Sequence, residues 1–286
     1  MGKELAISES QLDKLMSVGF TGHDIGAGSI YPSSVNILQS DKQYEAFSDG
    51  DNITKKMYGQ LFVRTDSNTT EDLADSIEGT IIKIERGYEI RNGENKIEQS
   101  GYGFLNALEK NEWEEKGFKP INMVKILLAL GDFKTVDGAM AKLKNKVDSG
   151  ELPKKADYPF CVVAVKGASF GNWFSVEKGM QDLANEFFKK PVSQIPVVGF
   201  NLVVKSSKEA GSDFTYYCFD FEVKPNDPEE AINFTKYLLE AKDQNLFYKV
   251  KERVEDDEYG AMKETEQAVE IVEGEEEDPL EADLPF

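Results

Sequence analysis

The only histidine in the chain, His23, lies in the glycine-rich run GFTGHDIGAG, with no serine or cysteine motif beside it. A histidine base needs a nucleophile to activate, so His23 reads as a surface loop residue. Gly26, Gly28 and Ser29 lack dinucleotide spacing, and no phosphate-loop lysine pattern occurs. Those glycines read as turn residues. Cys161 and Cys218 sit in strand-like apolar runs, which favours buried free thiols, and with one histidine they cannot complete a local zinc pattern. Carboxylates are too numerous for any one pair to stand out as metal ligands. These residues propose no enzyme, and no cofactor or metal is expected.

The chemistry that remains is that of binding. In DFTYYCFDFEV one parity collects Tyr217, Phe219, Phe221 and Val223, a core face, and the other collects Phe214, Tyr216, Cys218, Asp220 and Glu222. The preceding run VVGFNLVVKS points Val198, Phe200, Leu202 and Val204 inward, which sends Asn201 and Lys205 to the outer side with Phe214 and Tyr216. A ring beside a lysine suits a stacked base with its phosphate paired, worth roughly 1–3 kcal/mol per base. Lys83, Arg86 and Arg91 on an earlier strand, and Lys166, Phe170 and Trp173 in VKGASFGNWFS, offer the same combination. Strand aromatics are more often core than base platforms. Trp173 and Phe174 also suit the apolar entrance of the helix that follows.

These residues need elements to position them. SESQLDKLMSV, residues 8 to 18, opens with a capping box of Ser8 and Gln11 and places Leu12, Leu15 and Met16 on one helical face. A glycine-rich loop then leads to a strand near Val35 to Leu38. YGQLFVRTD and EGTIIKIERGYEIRNGENK alternate like a meander with an Asn-Gly turn. In the latter, Ile82, Ile84 and Ile90 share one parity, Lys83, Glu85, Glu89 and Arg91 share the other, and Gly87 is the candidate bulge. Leu105, Leu108 and Trp113 suit a helix, INMVKILLAL fits helix or strand, and a basic helix starts near Asp137.

FCVVAVKG reads as a strand buried on both faces. Ser175 can cap a helix with Val176, Met180, Leu183 and Phe187 on one stripe, ending at Lys189, Lys190 and Pro191. A hairpin joined by SKEAGS follows, then a helix with Asp227 as cap, Pro228 in its first position and Glu230 completing the box. The expected fold class is mixed α/β (α+β): a mainly antiparallel β core, an OB-like barrel with helical additions. Residues 1–254 form the folded domain and 255–286 a disordered acidic tail.

The net charge of −20 is unevenly spread. From Glu252 onward there are 15 acidic and 2 basic residues, which leaves 38 acidic and 31 basic before it. A mildly acidic body argues against a nonspecific duplex binder coated in lysine and arginine, but leaves room for a local basic groove. With 40% hydrophobic residues the chain can build a core. It has no apolar run long enough for a membrane span and no apolar signal segment at its start, so a cytoplasmic location and no membrane partner are expected.

The acidic run ends in EEEDPLEADLPF. Asp283, Leu284, Pro285 and Phe286, with Glu281 and the acidic block at 275–278 behind them, resemble the C-terminal tip of bacterial single-stranded DNA-binding proteins and several phage counterparts. The likeness covers about the last ten residues. It implies recruitment of replication, recombination or repair enzymes to exposed single strands: the Phe ring fills an apolar pocket, the terminal carboxylate pairs with a cation, and Pro285 limits the entropy lost on docking. The body departs from the bacterial pattern, since about 250 residues read as folded and no Gly/Gln/Pro-rich linker occurs, so the larger phage-type proteins are the closer comparison. The expectation is a sequence-independent single-stranded DNA-binding protein that is not an enzyme. Two other classes stay open: an acidic DNA mimic that inhibits a nucleic-acid enzyme, and a metal-dependent nuclease.

Overall fold

β-Branched and aromatic runs supply the strands, and in the computed structural model eight of them join one sheet. The structure describes residues 33–39, 57–64, 73–151, 157–210 and 215–243. The helix expected over 8–18, the loop holding His23, Phe214, and the acidic tail with Asp283 to Phe286 lie outside the described residues. The strands are β1 (Ser33–Ile37), β2 (Leu61–Arg64), β3 (Ile77–Arg91), β4 (Ile97–Tyr102), β5 (Lys119–Leu130), β6 (Phe160–Lys166), β7 (Phe200–Ala210) and β8 (Thr215–Pro225). Their order is β2-β1-β6-β5-β3-β7-β8, with β4 also paired to β3. Only β1 and β6 run parallel among these pairs. The helices are α1 (Ala107–Glu115), α2 (Phe133–Ser149), α3 (Trp173–Leu183) and α4 (Pro228–Asp243).

The run INMVKILLAL becomes β5 because β3 and β6 pair with both of its edges. β6 lies between β1 and β5, and its apolar run feeds both faces as expected: Cys161, Val163 and Val165 enter one core, while Phe160 and Val162 join the other. The first core takes side chains from β1 and β2 at one end of the sheet and from β8 at the other, so the sheet curls around it. Trp173, Val176 and Met180 of α3 fill that concave side. On the convex side, Ile82, Leu127, Ala129 and Phe160 pack against Val136, Met140 and Leu143 of α2 and Ala231, Phe234 and Leu238 of α4. The result is a mixed α+β half-barrel dominated by antiparallel pairing.

Side chains link the two ends of the curl. Gln39, just after β1, donates from Nε2 to the carbonyl oxygen of Tyr217, and its Oε1 accepts from the Tyr217 amide at 2.9 Å. One amide side chain thus stands in for a ladder step along the free edge of β8. Ser169 and Asn172 continue the cover, with Ser169 Oγ accepting from Phe219 N at 3.0 Å and Asn172 Nδ2 donating to Phe219 O at 2.6 Å. Ser206 Oγ donates to Gly59 O. Gly59 has φ +93°, and a Cβ there would lie 2.6 Å from the Tyr217 ring, so this contact needs glycine.

Three local expectations are corrected. The bulge in β3 lies between Ile81 and Lys83, not at Gly87. It leaves Ile82 unpaired and turns it to the convex core while Ile81 and Ile84 pack in the concave one, so Ile82 and Ile84 do not share a face. Ser175 is not a cap: α3 begins two residues earlier, running on from the 3₁₀ turn Gly167–Asn172, and Ser175 Oγ donates to Asn172 O. Asp227 does cap α4, accepting from Glu229 N at 2.9 Å and Glu230 N at 3.1 Å. Glu230, however, reaches across to accept from Phe133 N at 2.7 Å, the first residue of α2. It ties the two convex helices together instead of closing its own box. Among the described residues, no helix is long and apolar enough to cross a membrane.

Candidate nucleic-acid interface

Beyond its bulge, β3 carries Lys83, Glu85, Gly87, Glu89 and Arg91 on the convex side, past the residues packed against α2 and α4. Pairing brings Met123 of β5 opposite Gly87, and Lys166 of β6 opposite Met123. Lys125 lies two residues along β5 on the same face and is exposed. The strip is mixed in charge. Glu89 Oε2 accepts from Arg91 Nε at 3.1 Å, Arg91 Nη2 at 2.7 Å and Lys166 Nζ at 3.1 Å. Burial works against the Glu89 charge, but the hydrogen bonds from Arg91 and Lys166 outweigh it and hold the carboxyl below its ordinary range. Lys83 Nζ lies 3.5 Å from Glu85, and with its side chain only 12% exposed it offers little to a phosphate.

A recess of about 280 Å³ opens in this strip, lined in part by Glu85, Glu89, Ser100, Tyr102, Met123 and Lys125. Two glycines let β3 and β4 approach beside it. A Cβ on Gly87 would lie 2.9 Å from the Gly101 carbonyl oxygen, and one on Gly101 would lie 2.5 Å from the Tyr88 ring. Tyr102 is 74% exposed.

Arg86, of opposite parity, emerges on the concave side and pairs with Glu177 of α3. Its guanidinium sits 5.5 Å from the centroid of Phe104. Phe104 meets Phe170 edge-to-face at 5.4 Å, and Phe170 meets Phe174 at 6.0 Å. Phe104 and Phe174 are exposed, and Phe170 is partly buried. Trp173 is corrected: at 2% exposed it belongs to the concave core and presents no ring to solvent.

The third part of the expected site stands apart. Lys205 Nζ lies 2.7 Å from Glu222 Oε2, and the pair raises the lysine pKa. Ile77 opposes Val204, so Lys205 falls about seven residues along the ladder from Lys83. At 3.3–3.4 Å per residue that is roughly 20 Å. Tyr216 is half-buried and opposes Glu209 farther out on the hairpin. The structure therefore brings Arg91 and Lys166 together on Glu89, leaves Lys83 eight residues back along β3 and roughly 26 Å from Arg91, joins Arg86 to Phe170 through Phe104 on the other face, and leaves Lys205 and Tyr216 remote from both.

Sequence reasoning missed Tyr102, Phe104 and Lys125. The readable signal was GYGF: Gly103 at φ +79° breaks any strand or helix pattern that could bury the flanking rings. Neither thiol joins a site, since both cysteines are buried and burial pushes Cys161 up to about 12. Among the described residues, no three His, Cys, Asp or Glu side chains gather to hold a metal ion. Comparison with family models, curated proteins and solved structures finds no match.

Proposed function

We propose that the chain binds single-stranded DNA, with little dependence on sequence, during replication or recombination, and that it is not an enzyme. One observation carries this reading: exposed Tyr102 lies at the rim of a strip of one sheet face along which Lys125, Lys166 and Arg91 are spaced. A base stacks on the ring while the cations pair with flanking phosphates. The curled sheet serves as an OB-like platform with helical additions. A second ring cluster at Phe104, Phe170 and Phe174, with Arg86 beside it, extends the path around the segment carrying Gly103. Residues 255–286 act as a separate acidic tail whose Asp283, Leu284, Pro285 and Phe286 dock a polymerase, helicase, primase or nuclease in the cytoplasm.

Fluorescence anisotropy with labelled single-stranded and duplex oligonucleotides tests the reading. Saturable binding that prefers the single strand and weakens with salt is expected. Deleting residues 279–286 leaves that binding intact or stronger and abolishes capture of the partner enzyme. A chain that binds no oligonucleotide at low salt is a DNA mimic or something else. Nucleic-acid cleavage that requires Mg²⁺ or Mn²⁺ would instead make it a nuclease.

A further inference from the structure

The donors that reach Glu89 converge on one oxygen. Arg91 supplies two N–H groups to Oε2 and Lys166 supplies a third, while among the described residues no donor reaches Oε1. Glu89 is 8% exposed and lines the recess, so a clamped acceptor is held there with one oxygen unused. That oxygen keeps its access to the recess, so a ligand that donates to it makes a charge-assisted bond in place of water. Glu85 is a second acceptor in the same wall: its amine neighbour Lys83 sits at 3.5 Å, longer than a good charge-assisted bond.

The recess excludes other ligand types by its own charges. Two carboxylates oppose a phosphate there. A bare cation meets Lys125, Lys166 and Arg91 close by. A neutral, flat ring carrying an amine satisfies the acceptors and meets the Tyr102 ring and the Met123 thioether. The volume of about 280 Å³ lies just under the range of roughly 300–1,000 Å³ that holds drug-sized ligands, which suits one such ring.

We propose that this recess takes a single nucleobase with an amine at pyrimidine C4 or purine C6, cytosine or adenine, whose amino group donates to Glu89 Oε1 while its ring lies against Tyr102. The proposal rests on the single-strand reading above and adds a base preference to it. Thymine has a carbonyl oxygen where the amine would be, which sets acceptor against acceptor. The other contacts along the strip remain indifferent to the base.

Anisotropy of the full chain with oligo-dC, oligo-dA, oligo-dT and an abasic oligomer of equal length tests it. Oligo-dC and oligo-dA bind about tenfold tighter than oligo-dT, the size of one well-made base contact, and the abasic strand binds no better than oligo-dT. Glu89→Gln removes or reverses the preference: the amide oxygen stays under Arg91 and Lys166, which leaves the NH2 at the Oε1 position, a donor to the thymine oxygen and not an acceptor for an amine. Ser100→Leu, directly opposite Glu89 on the exposed strand β4, fills the recess with an apolar side chain and removes the preference too. Wild-type protein that holds oligo-dT as tightly as oligo-dC overturns the base recess and leaves the single-strand reading standing, whereas an abasic strand held as tightly as oligo-dC overturns the recess and the stacking on Tyr102 together. A preference that survives both substitutions overturns the recess as well. Failure to bind any oligomer overturns both.

Discussion

Tyr102 and Trp173 show how far a side chain's role depends on what covers it. Both are aromatic and both lie near cations in the sequence, but one ring is 74% exposed and the other 2%. Trp173→Ala should lower unfolding free energy by roughly 3–5 kcal/mol, the usual cost of emptying an aromatic core site, as read by chemical denaturation. Tyr102→Ala should leave the denaturation midpoint in place and weaken single-strand binding by roughly 1–3 kcal/mol, the loss of one stacked base. If Tyr102→Ala binds DNA as well as the parent, the ring is no platform. Glu89 gives a matching test in acid. Its folded-state pKa is depressed, so its stabilisation is complete above the unfolded-state value near about 4.3 and is lost as pH falls through the lower folded value. Glu89→Gln should therefore show a shallower loss of stability below about pH 4 than the parent, in thermal melts run at stepped pH. Equal slopes would mean the clamp contributes nothing to folding.

At the scale of elements, the half-barrel depends on how the edge of β8 is covered. Gln39→Ala strips partners from both the N–H and the C=O of Tyr217. Leaving such part-buried backbone groups unpaired costs about 1–3 kcal/mol. The expected signature is local: the Tyr217 amide exchanges faster with solvent, while amides of β3 and β5 in the middle of the sheet keep their protection. Unchanged exchange at Tyr217 would show that the curl holds without Gln39. This closure was not legible in the sequence, because it joins residues 178 positions apart through a side chain that no periodicity marks. Most strands were legible, but INMVKILLAL fitted helix or strand alike, and only its pairing with β3 and β6 decides it. FCVVAVKG, the β7–β8 hairpin and the Asp227 cap follow from patterning and turn chemistry alone. The candidate site was legible only in pieces. Alternation separates the faces of β3 correctly past Lys83, but the extra residue at Ile82 shifts the parity before it. Parity on one strand also says nothing of which other strand lies beside it, and so Lys205 could be grouped with cations that sit roughly 20 Å away.

For the whole molecule the deciding quantity is the division of charge. Residues 255–286 hold 14 acidic and 1 basic residue, so their removal takes the chain from −20 to −7. A single strand held by Lys125, Lys166 and Arg91 releases counterions from about three phosphates, which gives a slope near −2 in log K against log salt, or about a twentyfold loss between 50 and 200 mM. The tail opposes the same encounter at long range, and that repulsion is screened within about 8–10 Å at physiological salt. Truncation after Val254 should therefore strengthen binding at low salt and make the salt dependence steeper, with the intact and shortened proteins converging as salt rises. Anisotropy titrations of both proteins across one salt series measure this. Parallel lines offset at every salt concentration would contradict a purely electrostatic role and require short-range contact between tail and strip. Identical lines would mean that the tail's 14 carboxylates stay out of range of the bound strand, and that the acidic run acts only on whatever docks at its far end.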